Sequence, residues 1–258
     1  FTNSLVYDGG ICKRLYKLID ILKPLYLQYP NIWTKPYCMN LSMLSQNLAK
    51  KGNINKAIKF QLEVIKILKP LYQENKEYWI KDYSLYINNL SVYLIIIGNY
   101  NDSLKYLSEA KYLLKSLYIK NPDLWAKDYS LCLKNLGSIF NKMQDTNKEI
   151  DYNKQALEIE KDQYNKNPEL WVKKYLLNLN HLAVALSTIG KYNDSIKYLY
   201  EAKYLLKSLF IKNPDLWATE YVKCLNNLGI CLSSLNSNVK TKEGINLLIE
   251  AKKIIEAF

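Results

Sequence analysis

The sequence predicts an all-α fold in which helical hairpins are stacked in tandem, an α-solenoid. Three observations support this prediction. The five tryptophans recur at intervals of 46 residues, a period typical of stacked supersecondary units. Only 8 glycines and 7 prolines occur among 258 residues, which is few for a sandwich or a barrel. Hydrophobic residues make up 49% of the chain, enough to build an extended core.

Two aromatic positions repeat with this period. The tryptophans are Trp33, Trp79, Trp125, Trp171 and Trp217, and a tyrosine follows four residues after each: Tyr37, Tyr83, Tyr129, Tyr175 and Tyr221. A leucine comes eleven residues after each tryptophan, and the next residue is always small: Ser45, Ser91, Gly137, Ala183 and Gly229. Because the aromatic residues recur at one helical offset, we interpret them as structural positions that pack consecutive hairpins together. An aromatic binding platform is the alternative interpretation.

The first helix has a clear start signal in the last three repeats, and the third repeat shows it well. Asn121 can cap the helix, Pro122 occupies its first position and Asp123 places an acid in its first turn. Apolar residues then recur at helical spacing and predict one buried face, formed by Leu124, Tyr129, Leu133, Leu136 and Phe140.

A short turn separates this helix from a second one, most clearly at residues 98–102 and 190–194. Asn101 or Asp102 is predicted to cap the second helix. Its buried stripe is predicted to consist of Ser103, Leu107, Ala110, Leu114 and Leu117. Two helices per period make each repeat a hairpin of antiparallel helices.

The period divides the chain into an N-terminal segment and five repeats, which together form one solenoid domain. Residues 1–32 contain a half repeat, equivalent to a second helix alone, and the repeats follow at 33–78, 79–124, 125–170, 171–216 and 217–258. The last repeat has three additional residues in its turn, near Ser237. Residues 98–126 and 190–218 differ at only four of 29 positions, which indicates duplication of a two-hairpin block. Neither end shows a polar capping helix, so we expect a longer natural chain.

The hairpin signature resembles the tetratricopeptide repeat (TPR). Leu133, Leu136, Gly137 and Phe140 have the spacing of that family's first-helix signature. The period is 12 residues longer than the family's usual 34, which makes the chain similar to the long-unit arrays of kinesin light chains and of bacterial sensor proteins. The resemblance implies a right-handed TPR-like superhelix that serves as a protein–protein interaction scaffold or as a sensor or adaptor array.

No recognisable catalytic or metal-binding motif occurs in the sequence. His181 is the single histidine, and neither a Cys/His nor a carboxylate cluster has ligand spacing. A phosphate-binding glycine loop is also absent. We interpret the acidic residues of the third repeat as a solvated helix face: Asp145, Glu149, Asp151, Glu158, Glu160 and Asp162. The chain is therefore expected to be no enzyme and to hold no metal and no cofactor.

The sequence also predicts the compartment. The longest aliphatic run, residues 94–97, is far shorter than the roughly 20 residues that cross a bilayer, so no membrane association is expected. Five cysteines without a CxxC pair indicate reduced, packed thiols in a cytoplasmic protein.

A partner-binding surface follows from the resemblance, because the first helices of TPR arrays line a concave groove. Two adjacent positions in each first helix would face a bound partner, and we predict binding residues there: Asn88, Asn89, Lys134, Asn135, Asn180, His181, Asn226 and Asn227. Asparagine carries a donor and an acceptor, so a ladder of asparagines can bind the backbone of an extended peptide. The other interpretation is that these asparagines bond the neighbouring helix. Both interpretations stay open.

The net charge of +12 introduces nucleic-acid binding as a second hypothesis. Arg14 is the only arginine, and the five repeats carry charges of +5, +1, −1, +4 and +1. The third repeat therefore interrupts any basic stripe, which disfavours a nucleic-acid partner. Lysines that recur on the second helices are expected to be solvated: Lys23, Lys69, Lys115, Lys161 and Lys207. A passive spacer or oligomerisation arm is the third hypothesis.

Overall fold

The structure is a computed structural model that describes residues 3–257, with side chains described for residues 10–256. Over residues 3–257 it consists of eleven α-helices joined by short turns: α1 (Asn3–Gln28), α2 (Pro30–Lys50), α3 (Ile54–Glu74), α4 (Lys76–Ile96), α5 (Tyr100–Lys120), α6 (Pro122–Lys142), α7 (Thr146–Lys166), α8 (Pro168–Thr188), α9 (Tyr192–Lys212), α10 (Pro214–Ser233) and α11 (Asn238–Ala257). Residues 3–257 contain no β-strand, so the predicted all-α class is confirmed.

The chain forms two compact units that divide within α6, between Asn135 and Leu136. In the first unit, α1 to α5 form a series in which each helix packs against the next in sequence. In the second unit, α7 to α11 form the same kind of series, and α8 also contacts α10. The even-numbered helices, which carry the repeating tryptophans, are the first-type helices, and the odd-numbered ones are the second-type helices.

The turn that leads into the second-type helix has the same backbone conformation in four repeats. Gly52, Gly98 and Gly190 have φ angles of 78°, 78° and 75°, and Gln144 at the same position has a φ of 62°. Each of these residues lies two positions before a second-type helix begins. Glycine adopts this left-handed conformation without steric cost, whereas a residue with a side chain is strained there. Gln144 therefore occupies a position whose backbone suits glycine.

The predicted helix start was right for α6 and wrong for the second-type helix α5. Asn121 Oδ1 accepts a hydrogen bond from the Leu124 N–H at 3.2 Å and caps α6, as expected. Neither Asn101 nor Asp102 caps α5, however, because α5 already begins at Tyr100 and Asn99 is its cap. Asn99 Oδ1 accepts from the Asp102 N–H at 3.3 Å, and Asn99 Nδ2 donates to Asp102 Oδ2 at 2.8 Å. The reciprocal pair places the acid inside the first turn.

The predicted buried stripes hold except at Leu117 of α5, which is half-buried, and at Leu124 of α6. Leu124 is 60% exposed, because Trp125 is the residue that turns inward at the start of α6.

Glu160 is fully buried rather than solvated, in contrast to Asp151 and Glu158 of the same helix. Its Oε2 accepts a hydrogen bond from Asn178 Nδ2 at 3.0 Å. The acidic helix face therefore has one member that points into the core of the second unit.

Small residues mark the points where the two helices of a hairpin approach each other. Ser103 Oγ donates to the Ser91 carbonyl and Ser195 Oγ to the Ala183 carbonyl, both at 2.7 Å. In the last hairpin, a Cβ added to Gly229 would lie 2.9 Å from the carbonyl oxygen of the facing glycine in α11. The backbones are too close there for larger side chains, which explains the small residue that follows each repeating leucine.

All five cysteines lie in the described part of the chain, and they are free and buried. Burial raises the pKa of the Cys38, Cys132 and Cys224 thiols to about 12, so these thiols are poor nucleophiles in the folded protein. Across residues 3–257 no helix combines the length and the apolar composition that crossing a bilayer would require. The described side chains also include no cluster of three or more His, Cys, Asp or Glu placed to hold a metal ion.

Candidate partner-binding face of the first-type helices

The repeating tyrosine contacts a second-type helix on either side. Tyr37 stacks on Tyr26 of the preceding helix, with ring centroids 5.0 Å apart, and its hydroxyl donates to Glu63 Oε1 of the following helix at 2.8 Å. Ring contacts of the same kind, 4.8–5.3 Å between centroids, occur at Tyr72–Tyr83, Tyr118–Tyr129, Tyr164–Tyr175 and Phe210–Tyr221. Equivalent hydroxyl bonds join Tyr175 to Glu201 and Tyr221 to Glu250. The tyrosine thus links consecutive hairpins.

The repeating tryptophans Trp79 and Trp125 contact the preceding first-type helix in the first unit. Trp125, Trp171 and Trp217 are buried, whereas Trp33 and Trp79 are half-buried. Lys35 Nζ lies 5.1 Å from the ring centroid of Trp79, and Lys81 Nζ lies 5.6 Å from that of Trp125. In both cases a lysine two residues after one tryptophan lies over the tryptophan of the next repeat. Such cation–π contacts add to the packing between repeats.

Four of the eight predicted binding residues form amide–amide hydrogen bonds between neighbouring first-type helices. Asn135 Nδ2 donates to Asn88 Oδ1 at 3.2 Å in the first unit. Asn227 Nδ2 donates to Asn180 Oδ1 at 2.8 Å in the second unit. Each bond joins residues 47 apart, one more than the period. A primary amide has two N–H groups and an acceptor oxygen, so a single bond leaves hydrogen-bonding capacity on both side chains.

The other four predicted residues lie beside these amide bonds on the first-type helices. Asn89, Lys134 and Asn226 are half-buried, and His181 is exposed. Of the amide-bonded residues, Asn88 is 4% exposed, and Asn135, Asn180 and Asn227 are half-buried. The eight predicted binding residues therefore range from buried to exposed, and only some of them face solvent.

The second unit has a pair of cavities between α8 and α10, which we call the α8–α10 cleft. The larger cavity has a volume of about 360 Å³ and is walled by Leu176, Leu177, Leu206 and Trp217. The smaller one, of about 130 Å³, is lined by Val184, Leu199 and Ile230. Asn180 lines the larger cavity and Asn227 the smaller one, so the Asn227–Asn180 bond lies between them.

Charged and polar groups surround the larger cavity. Lys173, Lys223 and His181 contribute to its lining, together with Glu220, whose Oε2 lies 3.5 Å from Lys223 Nζ. The cleft therefore combines apolar walls with polar groups of both signs and with an amide pair. Such a site can hold an apolar side chain and also bind the backbone that carries it.

The sequence indicates an apolar groove in the second repeat, at Leu85 and Val92, and the structure exposes the equivalent apolar positions in other repeats, which the sequence interpretation did not single out. Leu131 and Leu177, six residues after their tryptophans, are 43% and 51% exposed. Val184 and Ile230, thirteen residues after theirs, are 43% and 57% exposed. A sequence signal did exist, because the position six residues after the tryptophan is apolar in four repeats: Met39, Leu85, Leu131 and Leu177. These side chains flank the asparagine positions by about one helical turn on either side.

No protein-family model and no curated protein sequence matches this chain. Solved structures do match it. The chain is similar to BtubC (BKLC) from P. vanneervenii, with a TM-score of 0.73 and 14% identity over 97% of this chain and 91% of that one. It is also similar to a kinesin light chain of Podosopora anserina with nearly identical TPR-like repeats, with a TM-score of 0.63 and 12% identity over 84% and 93% of the two chains.

A third similar structure is a double mutant of MamA from RS-1, with a TM-score of 0.53 and 13% identity over 86% of this chain and 97% of that one. At these identities the comparisons establish the fold alone. The chain is a TPR-like helical repeat protein, as the sequence resemblance predicted.

Proposed function

We propose that the chain is a protein–protein interaction scaffold whose first-type helices bind a partner protein or an extended peptide. The observation that carries this proposal is the α8–α10 cleft, in which two apolar cavities flank an amide–amide hydrogen bond. Leu177 and Ile230 line the cleft and are more than half exposed. Exposed apolar side chains beside converging polar groups are typical of a binding surface.

The chemistry of the cleft suggests how a partner segment binds. An apolar side chain of the segment enters the larger cavity and packs against Trp217, an aromatic residue of the kind that anchors interfaces. The unused N–H and C=O groups of Asn180 and Asn227 pair with the backbone of the segment. Lys173 and Lys223 then favour partners with a carboxylate near the anchor. The TPR-like fold supports this function only in general terms, because it is a scaffold on which binding sites are built.

Two exposed substitutions test the proposal. Leu177→Arg together with Ile230→Arg places two charges in the cleft without disturbing buried residues, and Ile211→Arg on α9, at a position 69% exposed, is the matched control. Each variant and the original chain are used for affinity capture from nuclease-treated lysate of the source organism, followed by mass spectrometry. A captured protein is then purified and its affinity measured by calorimetry. We expect the cleft variant to bind about ten-fold more weakly and the control to bind normally.

The same experiment separates the alternatives. A protein that the original chain and the cleft variant bind equally would contradict binding in the cleft. If capture yields nucleic acid in untreated lysate and no protein after nuclease treatment, the nucleic-acid hypothesis replaces the scaffold hypothesis, and the affinity should fall steeply with added salt. Failure of every chain to retain a specific protein would favour a passive spacer or an oligomerisation arm.

We also propose that the protein works in the cytoplasm or in a similarly reducing compartment. Five free, buried cysteines support this, since buried thiols persist where disulfides do not form. Alkylation of freshly lysed cells under denaturing, non-reducing conditions should label all five cysteines. Disulfide-linked forms in that sample would contradict the proposal.

A further inference from the structure

A second apolar depression lies on the exposed side of α3, in the first unit and away from the first-type helices. This depression, the α3 trough, has a volume of about 830 Å³. Ile58, Leu62 and Ile65 form its apolar floor, and Tyr106 of α5 contributes to one wall. Leu62 is 42% exposed although it is a large aliphatic residue. The trough therefore offers an apolar surface on a helix where solvated lysines were expected.

The charge around the floor is predominantly positive. Lys59, Lys66 and Lys69 line the trough at intervals that place them on one side of α3, and all three are exposed. Among the described side chains that line the trough, Glu63 is the one carboxylate. Its Oε1 already accepts the hydrogen bond from the Tyr37 hydroxyl. Three cations beside an apolar floor are complementary to a ligand that is both acidic and apolar.

Pro70 leaves one backbone carbonyl of α3 without its usual helical donor. Pro70 lies inside α3 and lines the trough. Since proline has no N–H, it cannot donate to the carbonyl of Lys66, four residues earlier in the helix. That carbonyl belongs to a residue that also lines the trough.

The floor distinguishes α3 from the next second-type helix of the same unit. At the positions of Leu62 and Ile65, α5 has Ser108 and Lys111. Two of the three flanking lysines are kept, because Lys105 and Lys115 of α5 correspond to Lys59 and Lys69 of α3, whereas Tyr112 corresponds to Lys66. Both helices therefore carry exposed lysines, but only α3 has the apolar floor. Substituting the lysines of α5 shows how much of the binding depends on positive charge alone.

We propose that the α3 trough is a docking surface for an acidic amphipathic segment of another protein. The apolar side of the segment covers Ile58 and Leu62, and its carboxylates pair with Lys59, Lys66 and Lys69. The trough extends from Asn55 to Gln73, about 27 Å at 1.5 Å per residue, which is the length of a helix of about five turns. A concave floor of this length fits side chains that insert between the lysines better than it fits a flat anionic membrane. This surface is independent of the α8–α10 cleft.

The test uses a defined synthetic probe. It is a fluorescein-labelled peptide of about 18 residues built from leucine and glutamate, with the leucines on one helical face. Two comparison peptides have lysine in place of glutamate or serine in place of leucine. Fluorescence anisotropy with the full chain, at low and at physiological salt, measures each affinity. We expect micromolar binding of the acidic amphipathic peptide and binding about ten-fold weaker or more for both comparison peptides.

Variants of the chain locate the binding site. Lys59→Glu with Lys69→Glu and, separately, Leu62→Ser are each expected to weaken binding of the acidic peptide about ten-fold or to abolish it. The matched control, Lys105→Glu with Lys115→Glu on α5, should change the affinity by less than about two-fold. The substituted lysines and Leu62 are all exposed, so the substitutions should not unfold the chain. Circular dichroism checks that each variant is folded.

Three results would overturn the proposal. An equal loss of affinity in the α5 control variant would mean that binding depends only on the net charge of the chain. An unchanged affinity in the Leu62→Ser chain would mean that the floor takes no part. Tighter association with vesicles containing about 30% phosphatidylserine, or with a DNA duplex, than with the peptide would assign the lysines to a lipid or nucleic-acid surface instead.

Discussion

The second-type helices α5, α7 and α9 occupy equivalent places in their repeats, yet α7 differs from the other two in the core. Leu114 of α5 and Leu206 of α9 are buried, and the corresponding residue of α7 is Glu160, also fully buried. The residue that faces this position from the following first-type helix changes with it. Asn178 hydrogen-bonds Glu160, and the equivalent positions of the repeats that have Leu114 and Leu206 hold Cys132 and Cys224.

The facing residue makes one hydrogen bond that is common to all three sites. Its side chain donates to a backbone carbonyl of the second-type helix: Cys132 Sγ to Leu107 at 3.8 Å, Cys224 Sγ to Leu199 at 3.5 Å and Asn178 Nδ2 to Asn153 at 3.3 Å. Asparagine differs from cysteine in having a second N–H, which it donates to Glu160. The buried carboxylate of Glu160 is accommodated in this core because the residue that faces it is an asparagine, which donates a hydrogen bond to it, rather than a cysteine.

The same three helices also differ at their N-termini. Asn99 caps α5 and Asp145 caps α7, where Asp145 Oδ1 accepts from the Lys148 N–H at 3.1 Å. Hydrogen bonds from the Lys148 side chain and backbone hold the pKa of the Asp145 carboxyl below its ordinary value. Lys191 stands at the cap of α9 and makes no side-chain capping bond. Each helix thus has one local feature that its counterparts lack.

The largest expected effect comes from moving the glutamate without its partner. Leu114→Glu buries a carboxylate opposite Cys132, which cannot donate a second hydrogen bond, and we expect a loss of about 3–5 kcal/mol in unfolding free energy. Adding Cys132→Asn should recover part of that loss by recreating the α7 arrangement in α5. Urea unfolding followed by circular dichroism measures both. A double variant no more stable than the single one would contradict the pairing argument.

The converse exchange should stabilise the protein. Glu160→Leu with Asn178→Cys converts the α7 site into the α5 and α9 version, and replacing a buried polar pair by a well-packed apolar one should add about 1–3 kcal/mol. Asn178→Cys alone, which removes the donor from Glu160, should destabilise instead. The two variants are compared by thermal and urea unfolding. If the double variant is also destabilised, then the polar pair stabilises the second unit more than apolar packing does.

A smaller gain is expected at the turn before α7. Gln144→Gly removes a side chain from a backbone with a φ of 62°, at the position where the turns before α5 and α9 have Gly98 and Gly190. Relief of strain outweighs the added chain entropy, and we expect about 0.5–1 kcal/mol of stabilisation. The matched control is Gly98→Gln, which should cost a similar amount. Equal melting temperatures for all three chains would show that this turn tolerates side chains freely.

The smallest effect concerns the cap of α9. Lys191→Asn introduces the residue that caps α5 at the same position, in a segment otherwise almost identical to its counterpart. The new Oδ1 can accept from the Asp194 N–H, and the gain should be about 0.5–1 kcal/mol. Asn99→Lys is the reciprocal control and should lose a similar amount. A change in melting temperature of the same sign in both variants would mean that capping is not the cause.

Most of the fold could be predicted from particular residues in the sequence. The tryptophan period gave the number of hairpins, Asn121 and Pro122 gave the start of α6, and Gly98 and Gly190 gave the turns. The errors came from single residues at helix ends and in the core. Leu124 was predicted to be buried, but the adjacent Trp125, which the 46-residue period already marked as a packing position, is the residue that turns inward. The exact cap of α5 depended on the turn geometry at Gly98, which places the helix start at Tyr100.

The candidate site could be predicted only as a set of positions. The sequence indicated which residues recur on the first-type helices, because equal spacing puts equivalent residues on equivalent faces. It could not show that Asn88 bonds Asn135 and that Asn180 bonds Asn227, since both bonds join residues one position out of register. That offset depends on how neighbouring helices are staggered, which the spacing of residues within one helix does not specify.

What the sequence determined by itself is the repeating architecture: a regular period of apolar, small and turn residues specifies the same hairpin each time, because local spacing decides which side of a helix is buried. What only the tertiary structure decided is the role of the individual polar residues. Glu160 lies in the core and not on the surface, four asparagines form two hydrogen-bonded pairs, and two cavities lie between α8 and α10. These outcomes depend on contacts between residues far apart in the sequence, and no local pattern encodes the distances between them.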